Sequence, residues 1–106
     1  MERDSTLITS GLITAAIRQK QVLRIFYPPG IRLIEPHAFG WSTDRNVLLR
    51  AYQTEGASAS GEHEWWKLFR IDRAETVELA GIHFDGPRPE YKRGDRAMKG
   101  GLIAEL

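Results

Sequence analysis

The chain changes its hydrophobic period once, early, and never changes back. Leu7, Ile8, Leu12, Ile13, Ala16 and Ile17 recur at helical spacing, which predicts a helix with one broad apolar stripe. Thr14, Arg18 and Gln19 fall on its other side. Ser5 or Ser10 is the candidate N-cap, because a short hydroxyl accepts an orphan backbone N–H. From Val22 onward the apolar runs are short and extended. Residues 22–27 are β-branched and aromatic and end at Pro28-Pro29-Gly30, a turn.

The rest of the chain repeats that alternation of short run and turn. Residues 31–41 form a second extended run, but Pro36 has no N–H to give a ladder, so an edge, a bulge or two short strands is expected. Residues 42–46 (Ser-Thr-Asp-Arg-Asn) are turn chemistry and predict a hairpin into a strand over 47–53. The small, polar stretch 54–64 reads as a long loop at a hairpin tip. Strands are expected again at 65–71 and 76–79. Prolines and glycines from Asp85 on predict an irregular tail over 85–106, whose last residues, 102–106, dock as a short strand or turn of helix. One helix followed by about five short antiparallel strands is a mainly β domain, a small barrel or rolled sheet, because open edges on so small a sheet invite aggregation.

At 106 residues this is one domain. Apolar residues at 42% suffice for a core, and charged residues at 27% exclude a disordered chain. A net charge of +1 creates no overall field toward nucleic acid or an anionic membrane, although it leaves room for a local basic patch. The lack of cysteine excludes disulfides, thiolate metal sites and a cysteine nucleophile, and fits a reducing compartment. The polar start and the absence of any apolar run near the roughly 20 residues of a membrane span predict a cytoplasmic protein without a membrane partner.

Catalytic signatures are sparse. His37, His63 and His83 show no ligand spacing, so no metal or other cofactor is expected; His37, following Pro36 at an expected strand edge, is the most interesting of the three. No Gly-x-Ser-x-Gly elbow or phosphate loop is present. Ser58 and Ser60 lie near Glu62 and His63, but a Gly/Ser loop offers a nucleophile little rigidity. If ordered, that loop has N–H groups and hydroxyls with which to cradle an anion.

The strands flanking the loop carry more. Period two places Leu48, Arg50 and Tyr52 on one face of the first. In the second it groups Trp65, Lys67, Phe69, Ile71 and Arg73 against Trp66, Leu68, Arg70 and Asp72. Cations thus alternate with rings. Structurally, their stems cover the sheet and pair with Glu55, Glu62, Glu64 or Asp72. Functionally, Arg50, Lys67, Arg70 and Arg73 hold phosphate or carboxylate while Tyr52 or Trp66 stacks on a base, with His37 and Tyr27 at the rim.

The order of segments resembles the WYL domain. The matching residues are 17–27, ending in Tyr27; Arg32-Leu33-Ile34-Glu35-Pro36; Val47-Leu48-Leu49-Arg50-Ala51-Tyr52; and Phe69-Arg70-Ile71-Asp72-Arg73. They span about residues 12–80. The triplet that names the family is replaced here by Val47-Leu48-Leu49. Residues 49–53, 58–61 and 66–70, together with Gly86-Pro87-Arg88-Pro89-Glu90-Tyr91, are similar to a compact bacterial subgroup, which makes the tail part of the domain. The resemblance implies an Sm-like five-stranded antiparallel barrel acting as a non-enzymatic ligand sensor for a nucleotide or single-stranded nucleic acid. It also implies service in transcription regulation, including phage defence, beside a DNA-binding partner, since one helix is too few for a helix-turn-helix. The alternative expectation is a protein-interaction or homo-oligomer module without a small ligand; a small nucleic-acid enzyme ranks last.

Overall fold

The computed structural model describes the backbone of residues 2–106 and side chains from Thr9 onward. Helix α1 (Glu2–Gln19) is followed by strands β1 (Gln21–Tyr27), β2 (Gly30–Trp41), β3 (Val47–Gly56), β4 (Trp65–Arg70), β5 (Thr76–His83) and β6 (Gly101–Glu105). Single 3₁₀ turns occupy Ile71–Arg73 and Arg96–Met98. The mainly β architecture with one N-terminal helix is therefore as the pattern predicts.

On α1, Ile13, Ala16 and Ile17 are fully buried against the sheet. Ser10 lies well inside the helix and is not its N-cap, because Gly11 does not interrupt it. The side chains of Ser5, Leu7 and Ile8 lie outside the described residues. The helix ends at Lys20, whose positive φ of 55° turns the chain directly into β1. There Leu23 and Ile25 point into the core while Arg24 points out, opposite Glu78 of β5, at 3.1 Å.

All strands are antiparallel, in the order β4-β3-β2-β1-β5, with β6 added to β2. The sheet has six strands rather than five, and its outer strands β4 and β5 do not pair, so the expected barrel is not closed. The extra strand comes from the tail, whose last residues dock as the short strand β6, one of the two forms expected for residues 102–106, and β5 continues past Leu79 to His83.

β2 is the central strand, and Pro36 is buried in it rather than exposed at an edge. On one side β2 pairs continuously with β3 apart from bulges. On the other, β1 reaches only Ile34 and β6 begins only at Ala38. Pro36 lies in that gap and His37 at its edge, where the His37 carbonyl accepts the Leu106 N–H at 2.9 Å, with the register to β3 shifting between Pro36 and Ala38. A residue without an N–H interrupts no bond where no partner strand stands.

The main core joins the α1 stripe to Leu23, Ile25, Ile34, Phe39, Leu49, Ala51, Phe69 and Ala104. A smaller cluster on the opposite, outer face joins Ala38 and Leu48 to Met98 of the tail. With both faces covered, Ile34 to Gly40 are buried without alternation. Close approach of backbones lets β6 in: a Cβ on Gly40 would meet the Gly101 carbonyl at 2.5 Å, and one on Gly100 would collide with the Ser42 carbonyl. Gly11, by contrast, faces open space. Gly11→Ala should therefore raise stability by about 0.5–1 kcal/mol, and Gly100→Ala should lower it by about 1–3 kcal/mol. Thermal unfolding of the two variants, shifting in opposite directions, checks this.

Candidate functional site

Alternation places Arg50 and Tyr52 of β3 on the outer face together with their cross-strand neighbours Leu68 and Trp66 of β4. Lys67 falls on the opposite, core-side face with Trp65 and Phe69, across from Ala51, Gln53 and Leu49. The cationic surface read from the pattern is thus split between two faces. Beyond Arg70 the chain turns into 3₁₀, so the expected run through Arg73 ends there and Arg73 is an exposed turn residue. Arg70 folds onto Asp72, with Nη2–Oδ2 2.7 Å and Nε–Oδ1 3.1 Å.

The outer face is covered by the chain's own tail. Arg88 lies at the centre of this contact. Its guanidinium grips the carboxylate of buried Glu35 through two bonds of 2.7 and 3.0 Å and sits 4.3 Å from the centroid of the Tyr52 ring. The paired carboxylate raises the Arg88 pKa further. Farther along, Asp95 accepts from Arg50 Nε at 2.7 Å and caps its turn through the Ala97 N–H. Burial works against the Asp95 carboxylate, but these hydrogen bonds outweigh it and hold its pKa below the ordinary value.

His37, expected at a rim, is fully buried at the middle of this contact. Its ring meets those of Trp66, Tyr91 and Phe84 at centroid distances of 4.7, 5.0 and 5.7 Å. Nδ1 donates to the Glu35 carbonyl at 2.8 Å, since a carbonyl only accepts, and Nε2 accepts the Arg88 N–H at 3.0 Å. Both nitrogens are used by the neutral ring, and burial pushes its pKa below the usual histidine value. The other histidines lie apart: His63 in the hairpin loop, His83 at the end of β5.

Beside this contact lies an open cleft of about 460 Å³ lined by Arg50, Trp66 and residues 90–96. Trp66 and Tyr91 form its aromatic wall, stacked at 6.0 Å and 22°. Arg50 is committed to Asp95 and Arg93 to Glu105 at 3.2 Å. Lys92 and Arg96 are exposed and make no ion pair among the described residues. The cleft therefore brings two rings together with two exposed cations, Lys92 and Arg96, and one exposed carboxylate, Glu90, none of the three charges being ion-paired among the described residues.

Tyr27 belongs to the other face. Its hydroxyl accepts the Arg70 N–H at 3.3 Å, its ring stacks edge-on against Phe69 at 4.9 Å, and Arg32 lies 5.1 Å from its centroid. Of the residues read from the sequence, Arg50, Tyr52, Trp66 and His37 are brought together, whereas Lys67, Tyr27, Arg70 and Arg73 are not part of that group. Sequence reasoning missed Glu35, Arg88, Tyr91, Asp95 and the exposed pair Lys92 and Arg96. The usable signal was local: Arg88 stands between Pro87 and Pro89, which stiffen the backbone on both sides.

Arg88→Ala should cost about 2 kcal/mol, since it strands a buried carboxylate. Arg24→Ala, which breaks an exposed pair, should cost well under about 1 kcal/mol; denaturant unfolding of both variants compares them. Because the folded state disfavours protonated His37, stability is full above its unfolded pKa of 6.5 and is lost as pH falls from there toward the lower folded value. Melting across that window should show a slope that His37→Gln removes; an unchanged slope would assign it elsewhere. The chain matches no protein-family model, no curated protein and no solved structure.

Proposed function

We propose that the chain is a non-enzymatic sensor whose cleft beneath the tail takes an anionic, ring-bearing ligand, a nucleotide or a stretch of single-stranded nucleic acid. The observation that carries this is the combination in one cleft of the Trp66–Tyr91 wall with Lys92 and Arg96, which make no ion pair among the described residues and outnumber the one unpaired carboxylate there, Glu90. Its volume of about 460 Å³ lies within the ordinary range of small-molecule sites. Aromatic rings bind bases by stacking, and exposed cations bind phosphates at little desolvation cost.

The WYL-like reading fits this assignment. Strand order with β5 beside β1, a bulged central strand that passes from β1 to β6 on one side and a helix over one face support an open, Sm-like barrel. On that reading the chain signals through a separate DNA-binding partner in the cytoplasm.

A second reading, an assembly module, is favoured by one observation. Trp41, Leu102 and Ile103 are 41, 46 and 38% exposed where β2 meets β6. Sedimentation of Leu102→Glu beside the parent chain separates this reading from the first.

The direct test follows tryptophan fluorescence during titration with a mononucleotide panel and short single-stranded oligonucleotides at low salt. The expected result is a saturable change that Lys92→Ala with Arg96→Ala weakens at least about tenfold. The salt slope for oligonucleotides should also become shallower by roughly 0.7 per cation removed. No response to either ligand class would overturn the proposal.

A further inference from the structure

The core-side face of the sheet is unevenly covered. α1 packs chiefly on β1, β2, β5 and β6, and at the end where β3 meets β4 the neighbouring segment is the loop over residues 57–64. That loop is pinned. Buried Gln53 donates to the carbonyls of Ala57 and His63 at 2.8 and 3.1 Å, the Ala57 N–H bonds the Ile31 carbonyl at 2.9 Å, and His63 Nδ1 donates to the Gly56 carbonyl at 2.7 Å. What the sequence suggested as a flexible tip is held at both ends.

Within the loop Lys67 Nζ lies 3.2 Å from Ser58 Oγ and 3.1 Å from Ser60 Oγ, and the two hydroxyls are 3.1 Å apart. The protons can be assigned by counting. Ser60 Oγ accepts from Lys67 and from the Glu62 N–H at 3.4 Å, which uses both its lone pairs, so it donates to Ser58. Ser58 then accepts from Lys67 and Ser60, and its own proton has no partner within the cluster. One ammonium N–H of Lys67 is left over as well. Both spare donors belong to one triangle of atoms.

Neither the cations of this face nor the loop's own exposed carboxylates, Glu62 and Glu64, are engaged in ion pairs among the described residues. Lys67 makes no ion pair among the described residues, and neither does Arg32 on the same face. Arg32 is buried, and its partners are all neutral: the carbonyls of Tyr27 and Pro28 and the side chain of Gln53, the residue that pins the loop. A buried cation satisfied by neutral oxygens keeps its charge, and its field falls on whatever lies beside it. The Ser58, Ala59, Ser60 and Gly61 amides have no backbone acceptor among the described residues, and Gly61 borders open space.

We propose that Lys67, Ser58 and the amides of the loop form a second ligand site, for the tetrahedral dianion of inorganic phosphate or a phosphate monoester. An ammonium, a hydroxyl and backbone amides present donors that do not share a plane, which suits a tetrahedral oxyanion better than a flat carboxylate. The site is independent of the cleft under the tail, since Lys67 and Trp66 project from opposite faces of β4.

Amide NMR titration of the whole chain with inorganic phosphate, and separately with adenosine monophosphate, tests it. Phosphate should shift the amides of Ser58 to Glu62 and of Lys67 saturably. Lys67→Met should weaken that response at least about tenfold, and Ser58→Ala should weaken it less. Lys92→Ala with Arg96→Ala should leave it unchanged, which separates failure here from failure of the cleft. Tighter binding of adenosine monophosphate would identify a nucleotide as the source of the dianion, and equal binding would identify phosphate itself. Loop amides that do not respond to phosphate, or that respond equally in Lys67→Met, would overturn the proposal.

Discussion

Between Ile34, where β1 stops, and His37, whose carbonyl takes the Leu106 N–H beside β6, the central strand has a partner strand on only one side. Pro36 fits there because it has no N–H to strand, and the bulge it accompanies brings the His37 ring among Trp66, Phe84 and Tyr91. His37 in turn gives the tail an acceptor for the Arg88 N–H. Arg88, so placed, reaches Glu35 and Tyr52. Each step depends on the one before, and the docking of the tail begins with a gap in a hydrogen-bond ladder.

The tail changes what the outer face can offer. A sheet surface bearing Arg50, Tyr52 and Trp66 would bind almost any anion with a ring. Once Arg50 is occupied by Asp95 and Tyr52 by Arg88, most of that capacity is satisfied internally. Lys92, Arg96 and the flank of the Trp66–Tyr91 wall are what remain, a smaller and more shaped surface. On the proposed reading, selectivity resides in the tail while the strands provide the floor.

The elements were legible because each writes its own period. The stripe Ile13, Ala16, Ile17 identified the core face of α1, and the runs around Leu23, Leu49 and Phe69 identified strands. The turn at residues 42–46 was legible from its residue types, with Ser42 and Asn46 closing it. What could not be read were pairings between distant segments. Arg50 had four nearby acidic candidates, yet its partner is Asp95, in another part of the chain. Alternation also assumed that β4 continued to Arg73, whereas the chain tightens into a turn at Ile71. The site was therefore half legible: Arg50, Tyr52 and Trp66 from local period, but the groups that complete it only from tertiary structure.

The pairing of β6 with β2 has a kinetic side. β1, β2 and β3 are consecutive and can zip together through short turns, and β4 follows across one loop. β5 and β6 must instead return across much of the chain, to β1 and to Ala38 to Trp41, so their loop-closure entropy is met after the local pairings. The chain thereby has a natural order of assembly in which the sheet precedes its cover. During that interval Met98 has not yet sealed Ala38 and Leu48, and the outer face is bare. Thermal opening would run the same order backward, giving this small domain a sub-global unfolding unit made of its tail.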